Sequence, residues 1–572
     1  MLNRATAQLY PIRWAGVASA SPVLLRLPAV AFLTDEQLHQ TPTVPSAVGD
    51  RALQVRVNSA GQPVAMPAGL LLGNFRQFQD VAIPYWSDQT QTWEPVLQWS
   101  DQHSLALAWI QQVVVALLST LLKQPTDESG CSAEGLEPEE FQTALSQLAG
   151  VGLGCPVGWS DTYRFNLREA VLTAGLVAQP AQIFFVEDAI AALIAELPDS
   201  AIRQPAVSLQ RSRSTGTASW KGGTLVLSAG ATMTELLLLD LPQDFHQLTR
   251  SDLALRSIAY GGSAIDQDII CQLFYPSVWG WRNLGEPSLD LPLPGEPDLP
   301  IRYRLQQRLQ STSLGRILLA IARQLKVALQ NQEVASFSLN DQQWTMTQQA
   351  LHSRVIVPYL QLLNRELSGL LAQTGIGVQT IQQVVLTGGT ASFPEIGLWL
   401  QQKFPNAMLI QDQDPSPNSH SKVALGLAKL PFYPQFLEGD RHQYGEYFLL
   451  QAILRSFPDH ALSLGQILQL LEAQGINAQI CQQTILDFLE GQLPEGLVPS
   501  QANLILLTPA SRQFPEYQMV RLSPVFSCQS NRVYRLDLEQ RDRLCHYLAT
   551  LLKSSRQKLE QPLSLSLTPV TD

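Results

Sequence analysis

At 572 residues, 45% of them hydrophobic, the chain is long enough for two or three domains with cores of their own. A formal net charge of -11 works against a sequence-independent grip on nucleic acid, whose affinity comes from neutralising phosphates. The six cysteines are scattered and form no CxxC pair or His/Cys cluster, which argues against a disulfide framework and a structural zinc and for reduced, buried thiols.

In chain order, the N-terminus interleaves Arg4, Arg13 and Arg26 with polar residues and shows no signal peptide. Residues 105–122 are the most apolar helical stretch, yet they carry Gln111, Gln112, Ser119 and Thr120, so they predict a buried helix and no membrane span, and the expected location is the cytoplasm. Residues 125–140 read as an acidic surface insertion, 210–223 as a basic, small-residue loop and 285–300 as a proline-rich excursion. Strand-like runs at 152–157, 183–186, 225–227 and 384–387 alternate with amphipathic helical patterns at 315–329 and 351–371, the α/β signature. At 384–394, VVLTGGTASFP, an apolar strand breaks into a Gly-Gly pair and a helix. Gly388 and Gly389 lack a Cβ and allow a base and sugar to come close, and Thr390 is expected to cap the helix.

Five further segments accompany that turn. They are 167–176 (LREAVLTAGL), 184–193 (FFVEDAIAAL, with Glu187), 224–240 (TLVLSAGATMTELLLLD), 257–274 (SIAYGGSAIDQDIICQLF) and 418–428 (NSHSKVALGLA). In this order they resemble the nucleotide-binding domain of the Hsp70 family, within the actin-like ATPase superfamily, over residues 150–430. The resemblance implies a two-lobed α/β fold, the first lobe about 1–200, the second about 220–385 and closing helices to 430. Each lobe would carry a mixed five-stranded sheet, with ATP and Mg²⁺ in the cleft between them. Carried over residue by residue, the nucleotide contacts are Glu187, Gly230, Thr232, Gly261, Gly262, Lys326, Gly388, Gly389 and Thr390, with Asp266 matching the motif around Gly261 and Gly262. The segment 235–241, ELLLLDL, resembles the family's interdomain linker, but its place before the adenosine motif makes it a strand of the phosphate hairpin.

The same resemblance undermines catalysis. Residues 1–35 hold no Asp-x-Gly, so the chain reads as beginning inside the first phosphate hairpin. In the second hairpin Leu227, Ser228, Ala229, Gly230, Ala231 and Thr232 stand where the family has Asp-x-Gly-Gly-Gly-Thr, and leucine cannot organise Mg²⁺. The first lysine is Lys123, too far along to reach a γ-phosphate, and Arg51 or Arg56 would be a fixed charge of different geometry. On the adenosine side Val327 follows Lys326, Arg323 replaces an acid, and Ser392 and His420 stand where an arginine and an acid are usual. Against these roles, Lys326 reads equally well as a solvated lysine and Glu187 as a surface or capping carboxylate. The expectation is a non-catalytic scaffold related to chaperones, a pseudo-ATPase with no catalytic or metal residues, weak ATP or ADP binding and no Mg²⁺. The alternatives are an active chaperone with a missing N-terminal segment and an actin-like small-molecule kinase.

Beyond residue 430 the resemblance ends. Residues 431–572 predict helices at 447–457, 463–473 (stopped by Gly475) and 478–490 (stopped by Gly491). Strand-like runs follow at 503–508, 517–522 and 532–538, then a basic amphipathic helix at 539–559 with Arg541, Arg543, Lys553, Arg556 and Lys558. That order is not a peptide-clamping sandwich, and the helix 478–490 has no Arg or Lys for phosphates. An additional α+β domain that binds a protein partner is expected, through the last helix, with no nucleic-acid or membrane partner.

Overall fold

A computed structural model describes residues 1–15, 24–54, 68–124, 130–197, 220–279, 291–339, 342–411, 420–497, 499–529, 532–559, 561–565 and 567. Residues 210–219 and 285–290 of the two predicted loops, and Arg56, lie outside the described residues.

The longest sheet comes from the runs that are apolar throughout. Before it lie a helix, α1 (Leu107–Ser119), then β1 (Val151–Cys155), α2 (Asp161–Ala174), β2 (Ile183–Glu187) and α3 (Asp188–Glu196). The sheet itself is built from β3 (Gly222–Ala229), β4 (Thr234–Leu241), β5 (Ala254–Ile258), β6 (Ile381–Thr387) and β7 (Met408–Gln411). Its spatial order is β5-β4-β3-β6-β7: β3, β4 and β5 form an antiparallel meander, and β6 and β7 run parallel to β3. Alternate residues feed two cores. Leu225, Leu227, Leu236, Leu238 and Leu386 face one, while Val226, Leu237, Leu239 and Val385 face the other, beneath α3. A sheet covered on both faces leaves no polar side, which is why β4 reads TELLLLDL. The helices that line the first core include α4 (Gly262–Ile269), α5 (Ser313–Ala328), α6 (Val357–Thr374) and α7 (Pro394–Lys403). At its centre Tyr260 stacks on Tyr359 at 4.9 Å, and the Tyr359 and Thr234 hydroxyls share a hydrogen bond of 2.7 Å.

The expected five-stranded sheet of the first lobe is replaced, among the described residues, by smaller pieces. β1 and β2 pair in parallel from Val151↔Ile183 to Cys155↔Glu187. Upstream, Val30–Thr34 lies between Ala47–Val48 and Gly69–Gly73, and Cys131–Ala133 pairs with Ile12–Trp14. Prolines at 11, 28, 42, 45, 84 and 95 interrupt this region, so no run is long enough to extend the sheet. The predicted insertion 125–140 contains that Cys131–Ala133 strand, and Pro138 opens a helix, Pro138–Ser146. A closing helix, α8 (Lys422–Lys429), packs on α3 so tightly that a Cβ on Gly426 would strike Ala191 O.

After residue 430 the first three predicted helices are present, as Glu446–Ser456, Leu464–Glu472 and Gln482–Leu489, with Gly475 and Gly491 at positive φ behind the last two. Of the predicted strands, 517–522 is helical instead, while 503–508 starts in a helix and continues through a turn to Leu507, which bridges to Leu97. Pro509 and Pro515 occupy first helical turns and Ser500 and Thr508 accept cap bonds, so Gln501–Leu504, Pro509–Arg512 and Pro515–Leu522 are helical. The strands are Phe526–Gln529 and Val533–Leu536, followed by α9 (Leu538–Leu552). These residues do not build a separate core. One buried cluster runs from Ala31 through Trp109 and Phe165 to Tyr447, Tyr547 and Leu551. The Phe165 and Tyr447 rings lie 5.5 Å apart, and Gln98 N donates to Leu506 O at 2.7 Å. Among the described residues no helix is long and apolar enough to cross a membrane.

Candidate functional site

The strands of the large sheet end in turns that converge. The β3–β4 turn brings Gly230 and Thr232, the segment before α4 brings Gly261 and Gly262, α5 brings Lys326, and the turn after β6 brings Gly388, Gly389 and Thr390. Eight of the nine sequence-derived contacts therefore meet at one end of one sheet. They bond mainly to each other. Gly230 O accepts from Gly262 N at 3.0 Å and from Thr390 Oγ1 at 2.7 Å, and Ala229 O accepts from Thr390 N at 3.0 Å. Thr390 is thus not a helix cap, because Phe393 holds the N-cap of α7 without a side-chain bond. The glycines permit this closeness. A Cβ on Gly261 would lie 2.7 Å from Gly230 O, and one on Gly388, whose φ is +97°, would strike Ala229 O. Gly389 has open space around its Cβ position.

Lys326 is not the solvated lysine that its surface position on a helix allowed. Its Nζ lies 2.7 Å from Gly262 O and 2.7 Å from Asp266 Oδ1, with Arg323 3.5 Å from the other Asp266 oxygen. Burial pushes the Lys326 ammonium below its ordinary range against the pull of Asp266, and pushes the Asp266 carboxyl up in spite of Lys326 and Arg323. Both partners of this ion pair are held out of water, so the pair closes the turn.

Glu187 does not join the cluster. It begins α3, and its carboxylate pairs with Arg250, which also lies 3.8 Å from Glu438. Leu227, where the resemblance would put a metal-organising acid, is fully buried in the sheet core. Arg51 is exposed on the short helix Asp50–Gln54, whereas Arg26 lines the cavity at Gly388 and Gly389 and Arg76 reaches β1, α2 and α3. Arg76 bonds Asp188 Oδ2 at 2.8 Å, Tyr163 OH at 3.0 Å and Gly154 O at 3.1 Å.

Sequence reasoning took Glu235 only as part of a strand. It is 2% exposed and reaches from β4 to the other sheet, accepting from Val157 N at 2.8 Å and Ala189 N at 2.9 Å. Burial, then the neighbouring Asp188 charge, push its carboxyl up to about 8. The available signal was an acid placed directly before four consecutive leucines.

Space is as informative as bonding. The cavity at the Gly388–Gly389 turn measures about 10 Å³, room for one water. The cleft lined by Thr232, Asn74, Ser263 and a row of glutamines measures about 80 Å³, and Asn74 Nδ2 donates across it to Ser263 Oγ at 2.9 Å. Pockets that engulf a nucleotide-sized ligand run from about 300 Å³ upward. No protein-family model matches the chain and no curated protein matches it, and its function is read from these side chains alone.

Proposed function

We propose that the chain is a catalytically silent relative of the actin-like, Hsp70-type nucleotide-binding fold, in which the nucleotide cleft has become an internal clasp and the molecule works as a scaffold for a protein partner. The two-lobed reading draws support from the meander-plus-two-parallel-strands order of the large sheet, and from the β1–β2 parallel pair with α3 and α8 beside it. One observation carries the functional reading. Lys326 Nζ, Gly262, Gly230 and Thr390, groups that would meet a nucleotide, meet one another at 2.7–3.0 Å. With Leu227 in the core, the site also lacks the carboxylate that phosphoryl transfer needs. Free, mostly buried cysteines suit the cytoplasmic location that belongs to this reading.

Calorimetric titration with ADP and ATP, with and without Mg²⁺, tests it, together with phosphate release. The scaffold reading expects no turnover and no shift in melting temperature at millimolar nucleotide. Mg²⁺-dependent turnover that Thr390→Val abolishes would overturn it. A second reading, residual adenosine binding without hydrolysis, is favoured by the open space at Gly389. ADP at 100 times its Kd would then stabilise the fold by about 2.7 kcal/mol.

A further inference from the structure

A roomier cavity lies away from the glycine turns, between β2, the stretch 434–442 and the chain's last described residues. It measures about 470 Å³, inside the range of small-molecule sites. Its walls include Phe185, Ile480 and Leu565, and one cation, Arg168 of α2, lines it. Arg168 is 5% exposed, and no carboxylate among the described residues pairs with it. Nη1 donates to Gln557 Oε1 at 3.0 Å, the guanidinium lies 5.2 Å over the Phe185 ring, and the buried Nε has no acceptor. Buried charges are ordinarily paired, because an isolated one loses its hydration with nothing in return. Burial lowers the Arg168 pKa to about 10, which is the mark of that missing partner. A planar donor fork, itself buried at the wall of a cavity that also carries apolar side chains, is the geometry that receives a carboxylate.

We propose that this cavity binds a small organic monocarboxylate with an apolar body, the carboxylate accepting from Arg168 and the body lying against Phe185, Ile480 and Leu565. A single negative charge is specified because Glu438 also lines the cavity, where a second anionic group would meet its carboxylate. Arg250 and His442, each 3.8 Å from Glu438, are engaged with that residue.

The full chain should be titrated calorimetrically with decanoate, decanol and inorganic phosphate, and its melting temperature followed with each. Decanoate is expected to bind one to one and raise the melting temperature, decanol to bind about tenfold more weakly or worse, and phosphate alone not to bind. Arg168→Gln should reduce decanoate affinity by about tenfold or more while the unliganded protein melts no lower than the parent, since an unpaired buried charge is removed. Ile480→Trp, which keeps Arg168 and fills the cavity, should abolish binding and serves also if Arg168→Gln does not fold. Equal affinity for decanoate and decanol, undiminished binding to Arg168→Gln or Ile480→Trp, or no binding of any probe to the parent would each overturn the proposal.

Discussion

Two neighbouring glycines show how far a single residue decides the clasp. At Gly388 the backbone sits at φ +97° with Ala229 O where a Cβ would go, whereas the Cβ position of Gly389 is open. Gly388→Ala should therefore cost about 2–4 kcal/mol in denaturant unfolding, and Gly389→Ala no more than about 0.5 kcal/mol. Equal effects would mean that the turn is looser than described. Buried carboxyls set a second expectation. Burial and neighbouring acids push Glu446 and Glu495 up to about 7 and Glu235 up to about 8, while burial pushes Asp80 up to about 6. A raised carboxyl pKa means that the folded state holds a proton which the unfolded chain releases near pH 4–5. Stability should accordingly fall as pH rises from about 5 to about 8. Glu446→Gln should recover about 2 kcal/mol of that loss at pH 8 and change little at pH 5, read by melting at both values. A melting temperature that rises from pH 5 to pH 8 would contradict the assignment.

Elements were legible in sequence where burial is uniform and obscure where it is local. β3, β4 and β6 announce themselves because both faces are covered, so their central runs, 225–227, 236–239 and 384–386, are apolar without a break. The helices before Gly475 and Gly491 are legible because only glycine readily takes the φ of +83° and +90° found there. By contrast, residues 517–522 look like a strand until Pro515 is weighed as a helix start, and 503–508 look like one although Ser500 caps a helix that runs to Leu504. The candidate site was half legible. Glycine spacing located the turns, but nothing local shows that Lys326 folds back onto Asp266, since that contact joins α5 to α4 across 60 positions of chain. The same burial governs what can be put back. Leu227→Asp would supply the carboxylate that the resemblance calls for, yet it would place a charge inside β3 with apolar neighbours on both flanking strands. It should destabilise by about 3–5 kcal/mol in urea unfolding and release no phosphate from ATP. Restored turnover would show that the cleft still opens around a metal.

At the scale of the molecule, the boundary at residue 430 divides the sequence resemblance and not the core. Tyr447, Tyr547 and Leu551 complete the cluster that Trp109 and Phe165 begin. A chain ending at residue 430 should consequently bind a hydrophobic dye, lose near-ultraviolet circular dichroism and aggregate, and residues 431–572 alone should not melt cooperatively. Cooperative melting of either piece would restore the picture of two independent domains. Partner docking through the end of α9 has to reckon with the same closeness, because Lys553 Nζ bonds Asp88 at 2.9 Å and Gln557 N bonds Glu169 at 3.2 Å.

A core shared between the two ends of the chain also fixes when it can form. During synthesis the segment carrying Trp109 and Phe165 leaves the ribosome long before Tyr447 exists, and translation of the intervening residues takes on the order of tens of seconds. Through that interval Val113, Phe165 and their neighbours have no final covering, so the nascent N-terminal half is a natural client for a holding chaperone. Slowing elongation should lengthen that association, and a circular permutant that joins the two ends should shorten it.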